Sequence, residues 1–168
     1  MELLDVYDDS GKKTGKVVDE FFKDSEFLPG EHIAVAIIYI ENSKGEFLIQ
    51  KTSKQKGSRY SQTGGHIKHN EEPIDAIKRE VKEELGIDIT KDNIIDLGYL
   101  VVDFPVRFIF YVKKDIELSD IVLQKEEVES VSYMDIKKLR DVIQKNLMHK
   151  AHVKILEKVL DYKKFISR

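Results

Sequence analysis

At 168 residues the chain is long enough to bury a substantial core as one domain, and its composition, 41% hydrophobic and 35% charged, is that of a soluble globular protein. A formal net charge of -3 provides no field for holding long polyanions, which excludes a protein built to bind nucleic acid non-specifically. The absence of cysteine excludes disulfides, thiolate zinc sites and cysteine nucleophiles.

In chain order, residues 3–7 read as a short strand, and Asp8-Asp9-Ser10-Gly11 is turn chemistry before a return strand over 14–18. Residues 21–30 form a connector that ends at Pro29-Gly30. The mostly apolar, β-branched run 32–40 predicts a strand covered on both faces, and a turn at 41–45 leads to its hairpin partner over 47–51. A polar loop, 52–60, precedes the pair Gly64-Gly65. From 73 to 85 the apolar residues Ile74, Ile77, Val81 and Leu85 recur at spacings of three and four, which predicts an amphipathic helix. Asn70 is the expected cap, Pro73 suits the first turn, and Gly86 ends the helix. Strands are expected over 94–103, 106–113 and 129–133, and helices over 136–145 and 149–165. The order predicts an α/β (α+β) domain over 1–168, a mixed sheet with helices on its faces. Within it, 1–30 is an N-terminal hairpin and connector, and 31–168 is the core.

The chemistry concentrates on the 73–85 helix. Glu80, Glu83 and Glu84 stand at i, i+3 and i+4 and project onto one face, opposite the stripe of Ile77, Val81 and Leu85. Like charges so placed repel, and a cation among them reverses the sign of the effect. Carboxylates without nitrogen or sulfur partners suit Mg²⁺ or Mn²⁺. Such an ion favours phosphate substrates, because it polarises phosphoryl oxygens and acidifies a bound water. Gly64 and Gly65 let backbone groups approach a metal or phosphate closely, and the Arg79 guanidinium is placed to hold a carboxylate through a bidentate contact. Read alone, the stretch REVKEEL is also compatible with a solvated, charged helix face.

The surrounding pattern resembles the signature of the Nudix hydrolase family: Gly, five residues, Glu, seven residues, Arg-Glu-apolar, one residue, Glu-Glu, one residue, Gly-apolar. Here these positions are Gly65, Glu71, Arg79, Glu80, Val81, Glu83, Glu84, Gly86 and Ile87, and each matches. At average residue usage a chance match is roughly one in ten million. The resemblance implies an αβα sandwich on a mixed β-sheet and water attack on a nucleoside diphosphate linked to another group X. It implies that Glu80, Glu83 and Glu84, with the Gly65 carbonyl, bind the divalent metal, that Arg79 orients the carboxylates, and that Glu71 supports them. The general base varies within the family; Glu83 and Glu127, the latter ahead of the last strand, are the candidates here, and Glu127 reads equally as a surface carboxylate.

The opening Asp5-Val6-Tyr7-Asp8…Gly11…Thr14-Gly15-Lys16 is similar to the hairpin of the isopentenyl-diphosphate-isomerase branch of the family. Those isomerases use a cysteine and typically a tryptophan; this chain has neither, so hydrolysis is the expected chemistry. A nucleotide-sensing module that no longer cleaves is the other alternative, disfavoured because no carboxylate of the signature is lost. Among the basic residues of the polar loop, Lys51 and Arg59 are the preferred phosphate contacts, ahead of Lys54 and Lys56, and His66 is placed at the pocket edge. The partner expected is a small diphosphate compound, with no membrane and no long nucleic acid, and a homodimer is plausible for the fold. Met1 to Asp5 lacks the basic and apolar segments of a signal peptide, and the longest apolar run, 33–40, is too short to span a bilayer, so a cytoplasmic protein is expected.

Overall fold

The computed structural model describes residues 1–167. An N-terminal hairpin of β1 (Leu3–Tyr7) and β2 (Lys13–Asp19) forms a two-stranded antiparallel sheet. It is fastened to the rest of the chain by main-chain hydrogen bonds between Tyr7 and His32 and from the His69 N–H to the Leu3 carbonyl. The side chain of Asp5 adds to this: it meets the His69 ring at 2.8 Å and accepts from the Asn70 N–H at 2.9 Å.

The second sheet has seven strands: β3 (Ala34–Glu41), β4 (Phe47–Thr52), β5 (Tyr60–Ser61), β6 (Thr63–His66), β7 (Ile95–Val101), β8 (Val106–Lys113) and β9 (Val128–Met134). β3 runs parallel to β8 along its whole length and antiparallel to β6, while β4 pairs antiparallel with β5 and β9. The sheet is therefore mixed. β3 and β4 meet only at Glu41 and Phe47, so beyond their turn they diverge and β6 fills the place beside β3.

Alternation along β3 divides the interior into two layers. Ala36, Ile38 and Ile40 pack with Ile77, Val81 and Leu85 of α1 (Pro73–Leu85). Ile37 and Tyr39 face Leu139 and Val142 of α2 (Ile136–Gln144) and Ile155, Leu156 and Val159 of α3 (His152–Ile166). The result is the expected αβα sandwich.

α1 begins and ends where its sequence dictates, with one difference. Glu72, in extended backbone, is its N-cap residue. Asn70 does not cap the helix: it holds a left-handed conformation at φ 64° and gives its N–H to Asp5. Gly86 closes the helix at φ 69°, and a Cβ there would also lie 3.1 Å from Val122. The final helix starts at His152, three residues later than the sequence pattern suggests, because 145–151 is used to pass back under the sheet edge, where the Tyr60 N–H meets the Leu147 carbonyl.

Candidate active site

α1 lies against β6 with its acidic face turned toward the glycine pair. Glu84 is 6% exposed, fixed by the Gly64 N–H at 3.3 Å and by the Gln50 side-chain amide at 3.3 Å. Gln50 is oriented in turn by the Thr63 hydroxyl, which donates to it at 2.8 Å. Glu80 sits over Gly65, where a Cβ would stand 2.4 Å from Glu80 Oε1, so only glycine leaves the carboxylate its place.

Arg79 organises the cluster. Its Nε and Nη2 form a fork on Glu71 at 2.7 and 2.9 Å. Nη1 reaches Glu80 at 2.9 Å and Glu83 at 3.2 Å, and Nη2 also donates to the His66 carbonyl at 3.0 Å. A guanidinium has five N–H donors, and all five are engaged by these protein groups. Arg79 therefore positions three carboxylates and has no donor left for a substrate.

The electrostatics follow from burial against that one cation. Burial pushes Glu84 up to about 8, and the neighbouring Glu80 charge adds to the effect. Glu80 is also raised by burial, in spite of Arg79. For Glu71 burial is outweighed by the Arg79 fork and the Lys68 N–H, and its carboxyl lies below the usual range. His66 is lowered by burial and stands mainly neutral near pH 7.

These groups open into a cavity of about 560 Å³ lined by Gly64, Gly65, His66, Arg79, Glu80, Glu83, Glu84 and Glu127 together with Val35, Lys56, Gln124, Glu2 and Glu20. Glu127 is brought there by chain geometry. The Val122 and Gln124 N–H groups donate to the carbonyls of Leu85 and Glu84, which fastens the 121–124 segment to the last turn of α1. The Lys56 loop is tied to the same place: Ser53 donates its N–H to the Glu127 carbonyl at 3.0 Å and its hydroxyl to the Glu126 carbonyl at 2.8 Å. Lys56 then pairs with Glu127 at 3.3 Å.

Two expected contacts fall elsewhere. Lys51 and Arg59 do not line this cavity. Side chains alternate along β4, so Gln50 faces α1 while Lys51 faces the other layer, where it meets Glu129 at 3.7 Å. Arg59 turns to Asn146 in the α2–α3 connection. Of the basic residues in and beside this loop, Lys56 is the one that lines the cavity. Gln50, Gln124, Glu2 and Glu20 carry no local signal, since each reaches the site only through tertiary pairing.

The donor set suits a hard divalent cation. Six carboxylates (Glu2, Glu20, Glu80, Glu83, Glu84 and Glu127) face the cavity against the cations Lys56 and Arg79. Among the described residues no three acidic or histidine side chains converge on one point as they stand. The cause is visible: Arg79 holds Glu80 and Glu83 on one side, while Gln50 and Gly64 hold Glu84 on the other. Convergence on an ion requires side-chain rotation away from these partners.

An acid-bearing helix packed beside a glycine pair, in a sandwich on a mixed sheet, defines the class of enzyme. Residues 30–159 match the NUDIX domain model, and the chain belongs to the Nudix hydrolase family, acting on diphosphate-containing substrates. An uncharacterised Nudix hydrolase of Listeria monocytogenes is 34% identical over 145 residues, covering 80% of each chain. A counterpart from Listeria innocua is 34% identical over 150 residues, covering 83% of each. Among solved structures, a Deinococcus radiodurans protein superimposes with a TM-score of 0.70 at 17% identity, over 85% of this chain and 89% of its own, which shows the shared fold. No described helix is long and apolar enough to cross a membrane.

Proposed function

We propose that the protein is a Mg²⁺- or Mn²⁺-dependent hydrolase that cleaves the diphosphate linkage of a nucleoside diphosphate joined to another group, or of a similar small molecule. The observation that carries this reading is the charge of the cavity. Burial raises Glu80 and Glu84 beside Glu83 and Glu127, so the acids lining the cavity ionise together only where a cation joins them, and an anionic diphosphate enters with that cation.

Glu80, Glu83 and Glu84, with the backbone at Gly65, are the groups that would hold the cation. When bound, a divalent ion supplies charge neutralisation at phosphorus and a more acidic water. Arg79 keeps the carboxylates in register before the ion arrives, through its fork on Glu71. Glu127 is assigned to take the proton of the attacking water, with Glu83 its alternate. Both line the cavity, and the Lys56 ammonium pairs with Glu127 at 3.3 Å. Lys56 also offers donors to a phosphoryl oxygen, and Gly64 and His66 border the substrate on the β6 side.

The test is a panel of diphosphate compounds assayed with Mg²⁺, alongside Glu84→Gln and Glu127→Gln. Glu84→Gln is expected to lose both Mn²⁺ binding and turnover. Glu127→Gln is expected to retain Mn²⁺ binding while its kcat falls about 10²- to 10⁴-fold, the usual contribution of a general base. Full turnover in Glu84→Gln, or in both Glu127→Gln and Glu83→Gln, contradicts the assignment.

A further inference from the structure

On the sheet face opposite α1, one row of side chains leads out of the acidic cavity. His66 pairs with Val35, Val35 is in register with Arg107, and Arg107 pairs with Leu100. All lie on the same face, because Gly65 turns toward Glu80 and its neighbour His66 therefore turns away. Likewise Val106 and Phe108 pack on the α1 side, so Arg107 between them faces the α2 and α3 side with Val35. His66 and Val35 line the cavity. At ~4.8 Å between strands, Arg107 stands roughly 10 Å across the sheet from His66.

Arg107 is unusual in what it lacks. It is 9% exposed, its Nε is buried without a hydrogen-bond partner, and among the described residues no carboxylate forms an ion pair with it. A guanidinium has five donors and is costly to bury unpaired. The acid whose charge reaches it, Asp103, is engaged elsewhere, by His149 at 3.4 Å and Lys150 at 3.7 Å. Burial depresses Arg107, and an anion beside it would offset that. Arg107 acts on both His149 and His152, so the 145–151 segment borders it.

Resting on the hydrolase reading above, we infer that Arg107 is a specificity residue that binds an anionic oxygen group, phosphate or carboxylate, on the part of the substrate remote from the diphosphate. The substrate class is then a diphosphate compound with a further negative charge that reaches about two strand spacings beyond the His66 edge of the cavity. Planar, multidentate recognition of such oxygens is what a guanidinium provides.

Two measurements decide this. The Arg107 Nε–H resonance of the wild-type protein is titrated with inorganic phosphate, and separately with acetate, without divalent metal. A saturable shift with one of them supports the site and tells phosphate from carboxylate; no saturable shift with either overturns it. In the second, hydrolysis with Mg²⁺ is compared within two matched pairs, coenzyme A against its 3′-dephospho form and UDP-glucuronate against UDP-glucose. The member of one pair that carries the extra phosphate or carboxylate is expected to be favoured at least tenfold in kcat/KM. Arg107→Met should abolish that preference without changing turnover of the member that lacks the extra charge, and Arg107→Lys should restore part of it. An undiminished preference in a folded Arg107→Met protein, or no preference in the wild type with turnover of both pairs, overturns the inference. Turnover of none of the four compounds counts against the hydrolase reading, while the resonance titration still decides the Arg107 site.

Discussion

Gly65 and Glu80 share one space: the Cβ that any other residue would carry at position 65 lies 2.4 Å from the Glu80 Oε1 atom. The glycine sits on β6 and the glutamate on α1, so the carboxylate fills the space between strand and helix that a side chain at 65 would take. Gly65→Ala is expected to displace Glu80 and lower kcat/KM at least tenfold, with Mn²⁺ affinity falling in parallel. Unchanged Mn²⁺ titrations in that variant would show that Glu80 is not a ligand.

Arg79 joins Glu71, Glu80 and Glu83 through a planar fork, a geometry that lysine cannot reproduce. Arg79→Lys is expected to lower kcat at least tenfold. Glu71→Gln weakens the charged bond that fixes the fork and should lose about 1–3 kcal/mol of stability, read from urea midpoints. Because the Arg79 fork stays on Glu71 and its other donors serve the carboxylates, KM should change less than kcat in Arg79→Lys.

Lys56 and Lys51 make an internal comparison. Lys56 lines the cavity beside Glu127, whereas Lys51 points into the other layer toward Glu129. Lys56→Ala is expected to raise KM about tenfold, the low end of the ~1.5–3 kcal/mol of a hydrogen bond to a charged group. Lys51→Ala should stay within twofold in steady-state assays. Equal effects would return Lys51 to the site.

His152 supplies a pH prediction away from the chemistry. It is 4% exposed and faces the Tyr39 hydroxyl at 3.1 Å; burial, followed by the Arg107 and His149 charges, lowers it from 6.5 to about 3. The folded state therefore holds it neutral, while the unfolded chain takes up a proton below about 6.5. Stability from this group is complete above 6.5 and declines as pH falls toward 3, at up to about 1.4 kcal/mol per pH unit. Denaturant unfolding of His152→Gln should show a shallower acid decline than the wild type over that window, whatever its stability at pH 7.

The parts of the molecule legible in the sequence are those fixed by local periodicity. α1 spans the residues predicted because the stripe from Ile74 to Leu85 and the stop at Gly86 are decisions taken within one helix. Its acidic face follows from the same spacing. Lys56 was hidden among four basic residues of one loop, and the choice rests on which face of β4 its flanking residues occupy and on Ser53 bonding to the 126–127 segment. Glu2 and Glu20 come from the N-terminal hairpin, whose docking depends on Asp5 meeting His69 and Asn70, a contact some 65 residues apart in the chain. Asn70 has the side chain of a helix cap, but it stands two residues before the actual N-cap, Glu72, in a left-handed turn whose N–H goes to Asp5, so tertiary docking prevails over the local preference.

The central claim is that the Glu80, Glu83 and Glu84 face holds a divalent cation on which diphosphate cleavage depends. Calorimetric titration of Mn²⁺ into the wild type and into Glu84→Gln, with turnover followed in the same samples, tests it most directly. Saturable Mn²⁺ binding in the wild type, lost together with turnover in a folded Glu84→Gln protein, is the expected result. Turnover that persists in a chelator, or Mn²⁺ binding that is undisturbed in Glu84→Gln, would contradict it.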